Sequence, residues 1–297
     1  VNQEKTVILD EEARNRGNTG DYIWRLEHQA LWPESRLGHG FYGDKQSLKS
    51  MKLTDLQDFF QCNYLPHKAR FVIIGNQNIN EIVEIIEKNY LRKPAVKKQE
   101  SDISSIPFKQ PLPLLTDKQS RESVTISVAF RTCSLNSDDW IALRFIRNYL
   151  ASGWISRLIQ RLRIQKQHTY WVDGVAVNYS DTGRLSFTYS TKPTTVSKTL
   201  KIIFEEIDKL RQEKIDDINL KNQKNAFISN FFRWNVIEPQ DVMWWYGWQA
   251  AGGGKIMAMQ DYLKQIRQLS TTEIQKTARK YLTKENRSVV LIGNIKG

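Results

Sequence analysis

The sequence predicts an α+β protein of two homologous mixed α/β-sandwich domains, the first of them incomplete. Three observations carry this. Runs with apolar residues at helical spacing alternate with β-branched, aromatic runs of strand period. Residues 54–76 can be laid without gaps on 272–294, an offset of 218: Thr-Asp-Leu-Gln meets Thr-Glu-Ile-Gln, and Phe-Val-Ile-Ile-Gly-Asn meets Val-Val-Leu-Ile-Gly-Asn. At an offset of 220, Tyr22-Ile23-Trp24 and Gln29-Ala30 meet Val242-Met243-Trp244 and Gln249-Ala250. Two shared segments in the same order indicate a duplicated domain. The copies differ in what precedes the second shared segment. The later copy begins near residue 114, while only 21 residues stand before Tyr22. The offset therefore leads to the expectation that roughly a hundred residues of the first copy lie before Val1.

The elements follow in order. Residues 1–16 read as a helix; Gly17-Asn18-Thr19-Gly20 breaks it, and Asp21 can cap a second helix that runs to Trp32. A glycine-rich loop at 38–43 precedes Thr54-Asp55-Leu56-Gln57, which has capping-box form and opens a helix with Phe59, Phe60 and Tyr64. Residues 70–76 read as a buried strand ending in a turn, and 79–91 as an amphipathic helix. Residues 92–113 lose periodicity and gain Pro94, Pro107, Pro111 and Pro113, the composition of a linker. The expected division is thus 1–91, the C-terminal half of the first domain; 92–113, the linker; and 114–297, a complete second domain. Within that domain 124–130 alternates as a half-buried strand, and 140–150 is helical. Residues 170–179 and 184–191 flank Asp181-Thr182-Gly183 as a hairpin. Two helices, a tryptophan-rich helix with Trp244, Trp245 and Trp248, a further helix and a strand at 288–294 complete it.

Composition narrows the function. With 40% hydrophobic and 11% aromatic residues the chain is globular. No apolar run approaches the roughly 20 residues that span a bilayer. Cys62 and Cys133 alone supply neither a disulfide framework nor a thiolate metal site. A net charge of +12 would suit nucleic acid, but the cations are spread among 32 acids, and no helix-turn-helix, RNP or zinc-finger pattern accompanies them. Nucleic-acid binding is therefore not expected. A basic surface that attracts acidic partners or peptides is the milder inference.

Two constellations carry chemistry. Glu4 and Glu11 stand two helical turns apart and share a face. Stacked carboxylates repel unless a cation is near, so the pair fits a metal or basic partner, or else a solvated acidic face. Further on, Trp154, Ile155, Leu158, Ile159 and Leu162 fall at helical spacing, with Arg163 near the helix end and Tyr170 opening a strand. That arrangement aims a guanidinium and a phenol into one cleft, where they can hold a peptide carbonyl or carboxylate. A basic surface helix leading into a core strand is the other reading. Trp244, Trp245 and Trp248 could form a ligand platform; Trp24 at the matching position points instead to core or interdomain packing.

These residues resemble the insulinase and mitochondrial-processing-peptidase superfamily, pitrilysin-like zinc peptidases with an inverted H-x-x-E-H motif. Glu4 through Glu11 looks like the family's E-x6-E helix. Leu37-Gly38-His39-Gly40 to Gly43, Tyr64-Leu65-Pro66 and Ile73-Ile74-Gly75-Asn76 look like its next conserved segment. Ser156-Arg157-Leu158 with Arg163 and Tyr170 looks like its second-domain segment. The resemblance implies a LuxS- and processing-peptidase-like fold and a zinc-dependent metallopeptidase that cleaves peptides or unfolded segments in a closed chamber. It also implies that Glu11 is the third zinc ligand, that Glu4 supports it from behind, and that Arg163 and Tyr170 close over substrate. Substrates of such enzymes are extended peptides that add as a strand to a sheet edge.

The H-x-x-E-H motif is absent. The four histidines, His28, His39, His67 and His168, include no pair at i, i+4. No catalytic residue is therefore expected in this chain, nor tight zinc binding, and alone it is expected not to hydrolyse peptides. Zn2+ would belong to the complete protein. The missing motif would come from an N-terminal segment of the same protein or from an H-x-x-E-H partner subunit, in a dimer or clamshell. The alternative is a non-catalytic partner or structural subunit of a peptidase-like heterodimer. A metal site built on Glu11 with His28 or His39 is disfavoured, because no histidine stands one or two turns from Glu11 on its helix.

Overall fold

The structure, a computed structural model, describes residues 2–33, 35–91, 110–253 and 255–295. Most of the expected linker, 92–109, lies outside the described residues. Five helices occupy the N-terminal segment: α1 (Asn2–Gly17), α2 (Thr19–Leu31), α3 (Lys45–Ser50), α4 (Leu53–Asn63) and α5 (Ile79–Ile86). The rest carries β1 (Leu114–Lys118), β2 (Val124–Thr132), α6 (Asp139–Ala151), β3 (Val172–Asn178), β4 (Gly183–Thr191), α7 (Val196–Gln212) and α8 (Asp217–Asn235). It ends with α9 (Pro239–Ala251), α10 (Met259–Gln268), α11 (Thr271–Tyr281) and β5 (Arg287–Gly293). The strands form one sheet of order β1-β5-β2-β4-β3, in which β1 runs parallel to β5 and every other pair is antiparallel. Mixed α/β architecture is as the sequence predicts.

The repeat is visible as matched helices. Shifting α4 by 218 gives the bounds of α11, and shifting α2 by 220 gives those of α9. Both capping boxes lie two residues earlier than the Thr-x-x-Gln spacing predicts. The acids do the capping: Asp55 accepts from the Lys52 N–H at 2.7 Å, and Glu273 accepts from the Ser270 N–H at 2.7 Å. A carboxylate is the stronger acceptor for an orphan N–H, so it takes the N3 position in place of the glutamine.

The inner strands β2, β4 and β5 are buried on both faces, which corrects the half-buried reading of β2. One face packs Val124, Ile126, Val128 and Phe130 of β2 and Leu185, Phe187 and Tyr189 of β4 against α6, α7, α8, α10 and α11. The alternate residues, which include Thr125, Ser127, Arg184, Ser186 and Thr188, are polar yet also buried. Helix α2 covers them. Its Tyr22, Ile23, Leu26 and Ala30 pack on Val290 and Ile292 of β5, each such burial worth about 1.5–3 kcal/mol for a large side chain. Its Glu27 is fully buried; it pairs with the Arg184 guanidinium and accepts the Ser127 hydroxyl at 2.6 Å. Burial pulls the Arg184 pKa down to about 10, which leaves it charged at neutral pH. Donors from the sheet side also take up helix-end carbonyls: Arg121 donates to Gly17 O, the Leu112 N–H to Ala30 O and Arg131 to Leu31 O.

The expected strand at 70–76 does not form. Its counterpart β5 lies between β1 and β2, which take its N–H and C=O groups. Among the described residues no strand stands beside 70–76, and extended backbone without a neighbour forms no ladder. The apolar side chains are exposed accordingly: Ile74 is 41% exposed against 0% for Ile292, and Tyr64 is 64% exposed against 2% for Leu282. Helix α9 lies beside this stretch as α2 lies over β5; a Cβ on Gly247 would stand 3.9 Å from Val72 Cγ2. Trp245 is buried in the core, while Trp244 and Trp248 are exposed, so only one of the three tryptophans follows the core reading.

Truncating Glu27 to Ala would leave Arg184 buried without a counter-charge. Urea denaturation should then show a loss of about 3–5 kcal/mol. Glu27→Leu combined with Arg184→Met should recover most of it.

Candidate functional site

The structure brings Arg163 and Tyr170 together: the guanidinium carbon lies 4.8 Å from the centre of the phenol ring. The helix that carries Arg163 differs from the amphipathic α-helix read from the sequence. Residues 159–165 form a π-helix, and of the apolar residues read at helical spacing only Leu158 and Leu162 are fully buried. Trp154, placed by spacing on the core face, is 63% exposed. Gly153 turns the chain at φ +75°, and the Ser156 N–H and hydroxyl both donate to its carbonyl, at 3.1 and 2.8 Å. That turn places Trp154 outside the helical register.

The turn is pinned by acids of α7. Arg157 donates to Glu206 at 2.8 Å, and Arg161 to Glu205 at 3.2 Å. Glu206 is buried, and its hydrogen bond raises the Arg157 pKa. Arg163 has no such partner: among the described residues no carboxylate stands within ion-pair distance of it. It lies over aromatic rings instead, its guanidinium carbon 4.8 Å from the centre of the Tyr170 ring and 4.5 Å from that of the Trp154 indole. Trp154 is thus a member of the constellation that sequence reasoning missed.

Tyr170 is held two residues before β3 rather than at its start. Thr191, at the end of β4, donates to His168 O at 2.8 Å; Thr169 donates to Trp171 O at 2.7 Å. Gln167 takes a left-handed φ of 51°. These bonds hold the backbone while the Tyr170 side chain stands 78% exposed. A guanidinium whose flat faces meet rings keeps its N–H donors at the edge. The unit can therefore bind and orient a peptide carbonyl or a carboxylate.

The residues do not fit zinc. Among the described residues no three His, Cys, Asp or Glu side chains are grouped to hold a metal ion. Glu4 and Glu11 lie on α1 with exposed side chains and make none of the described ion pairs, whereas the adjacent Glu12 binds Arg16 and Arg25, each at 2.7 Å. His28, weighed as a ligand with Glu11, has both ring nitrogens engaged: Nδ1 with Trp24 O and Nε2 with the Tyr179 hydroxyl, each at 2.7 Å. His39 is exposed and makes no described side-chain bond. No step through a metal follows from this chain's own residues.

Residues 50–227 match the peptidase M16 inactive domain family, and the chain belongs to that family. It is 21% identical to an uncharacterized zinc protease of Mycobacterium tuberculosis over 98% of this chain and 67% of the relative. It is 22% identical to a probable mitochondrial-processing peptidase subunit beta of Arabidopsis thaliana over 99% of this chain and 57% of the relative. The fold matches a crystal structure of a peptidase M16 inactive domain from Pseudomonas fluorescens with a TM-score of 0.84 at 16% identity, covering 99% of this chain and 70% of that one. The chain thus spans between 57% and 70% of the length of these relatives.

His28 supplies a pH test. Burial lowers its pKa below the ordinary 6.5, so the folded state holds a neutral ring. The unfolded chain binds the proton more readily, and stability should fall as pH drops through about 6.5 and on to the lower folded value. Thermal melts of His28→Gln should show a smaller loss over that window than the parent chain.

Proposed function

We propose that this chain supplies the substrate-facing wall of a zinc-dependent peptidase that cleaves peptides or unfolded segments in a closed chamber. Residues 1–91 are the C-terminal half of its metal-site domain, and residues 114–297 a complete second domain that carries Arg163 and Tyr170. The zinc motif comes from an N-terminal segment of the same protein or from an H-x-x-E-H subunit. The observation that carries this reading is the contrast between repeats. Leu56, Phe60, Tyr64, Ile73 and Ile74 are exposed, whereas their counterparts Ile274, Ala278, Leu282, Leu291 and Ile292 are buried beneath a sheet and its helices. A face of that pattern fits the strands and helices of a matching half-domain. Glu4 and Glu11, on the open side of α1, would then meet the incoming ligands.

In that setting Arg163 and Tyr170 orient the substrate carbonyl and donate to oxygen as charge develops. The family's likeness to inactive domains favours a second reading, a non-catalytic partner of a peptidase-like heterodimer. Supplying the N-terminal segment or an H-x-x-E-H subunit distinguishes the two. The first reading expects zinc-dependent, chelator-sensitive cleavage of an unfolded polypeptide, with kcat falling about 10²–10³-fold in Arg163→Ala and Tyr170→Phe. A tight complex whose cleavage rate ignores both substitutions would support the second.

A further inference from the structure

Two rings hold Arg163, and only that of Tyr170 has been given a part in function. The Trp154 indole lies closer to the guanidinium than Tyr170 does, at 4.5 Å against 4.8 Å. Its position is built rather than incidental. Gly153 adopts the left-handed turn that swings it out, Gln160 donates to Trp154 O at 2.6 Å, and Gln223 of α8 donates to Ile155 O at 3.0 Å. An exposed tryptophan contributes little to a core, so this local framework serves the contact with Arg163.

We propose that Trp154 is a positioning residue of the substrate-facing site. Its indole, with the Tyr170 phenol, restrains the Arg163 guanidinium, so that the N–H donors meet an incoming peptide oxygen in a set direction. An arginine left to rotate on its stem spreads its donors over many directions; stacking restricts that freedom before the ligand arrives. The absence of a neighbouring carboxylate among the described residues keeps the edge available. The acceptor is a planar oxygen group, either a backbone carbonyl or a C-terminal carboxylate. This inference rests on the substrate-facing reading of Arg163.

The test uses the full chain and a fluorescein-labelled unstructured peptide of about ten residues, in free-acid and amidated forms to separate the two acceptors. Trp154→Ala should weaken binding about three- to tenfold, and Trp154→Phe should restore it. The double variant Trp154→Ala/Arg163→Ala should bind no worse than Arg163→Ala alone, as expected for residues acting through one group. The Arg163 Nε–Hε NMR resonance should lose its ring-current shift in Trp154→Ala and keep it in Trp154→Phe. Additive losses, or unchanged binding in Trp154→Ala while Arg163→Ala weakens it, would overturn the role given to Trp154 alone. Unchanged binding in Arg163→Ala would overturn the substrate-facing reading and this inference together.

Discussion

The fold depends on one buried charge pair. Glu27 enters the polar face of the sheet from α2 and meets Arg184 on β4, with Ser127 beside it on β2. A carboxylate with no exposed surface is tolerated only when paired and hydrogen-bonded. Such a pair adds little net stability over an apolar equivalent, but it penalises every arrangement in which one partner is left alone. It therefore specifies how α2 lies on the sheet. The same registration reaches the candidate site through a continuous series of contacts. Glu12 of α1 binds Arg25 of α2; Glu27 of α2 binds Arg184 of β4; Thr191 of β4 binds the backbone at His168, two residues from Tyr170. The helix of Glu4 and Glu11 and the loop of Tyr170 are thus tied to one rigid sheet.

The repeats use their helices crosswise. Helix α2, from the first repeat, covers β5 of the second, and α9, from the second, lies beside the 71–74 stretch of the first. The exchange is complete on one side only: β5 sits in a sheet with a packed core, while Phe71, Ile73 and Ile74 stand exposed alongside Trp244 and Trp248. A contiguous apolar face on a folded chain marks a surface that another segment or protein covers.

The sequence read helices better than strands, for a physical reason. Helical periodicity is local, so α4 and α11 were both legible as helices, although their N-caps lie two residues before the place the Thr-x-x-Gln spacing gives them. A strand depends on a distant neighbour, so Phe-Val-Ile-Ile-Gly-Asn and Val-Val-Leu-Ile-Gly-Asn read alike although only the second is paired. Alternation in β2 was visible, but polar residues on one face ordinarily signal water; here Glu27, 157 residues from Arg184, supplies the partner. The short strand β1 gave no periodic signal in its five residues. Arg163 and Tyr170 were singled out by a guanidinium near a helix end and a phenol near a strand start, positions that the family resemblance also marks. Trp154 was misplaced because counting at helical spacing assumes an unbroken α-helix, whereas Gly153 and the π-turn shift the register.

That shift explains why one arginine among three is without a carboxylate partner among the described residues. Arg157 and Arg161 are one turn apart and both face the acids of α7. Arg163, two residues further on, projects roughly to the opposite side of the turn, out of reach of Glu205 and Glu206. Had it paired with a carboxylate, its donors would be spent and its charge cancelled. Aromatic faces hold a guanidinium without consuming its N–H groups, because they interact with the flat side of the ion and accept no in-plane hydrogen bond. Lysine could not substitute in such a stack, since its ammonium has no flat face and no fixed donor edge. The pairing of Arg163 with rings rather than acids is therefore what lets an ordered cation remain chemically available in a chain otherwise rich in ion pairs.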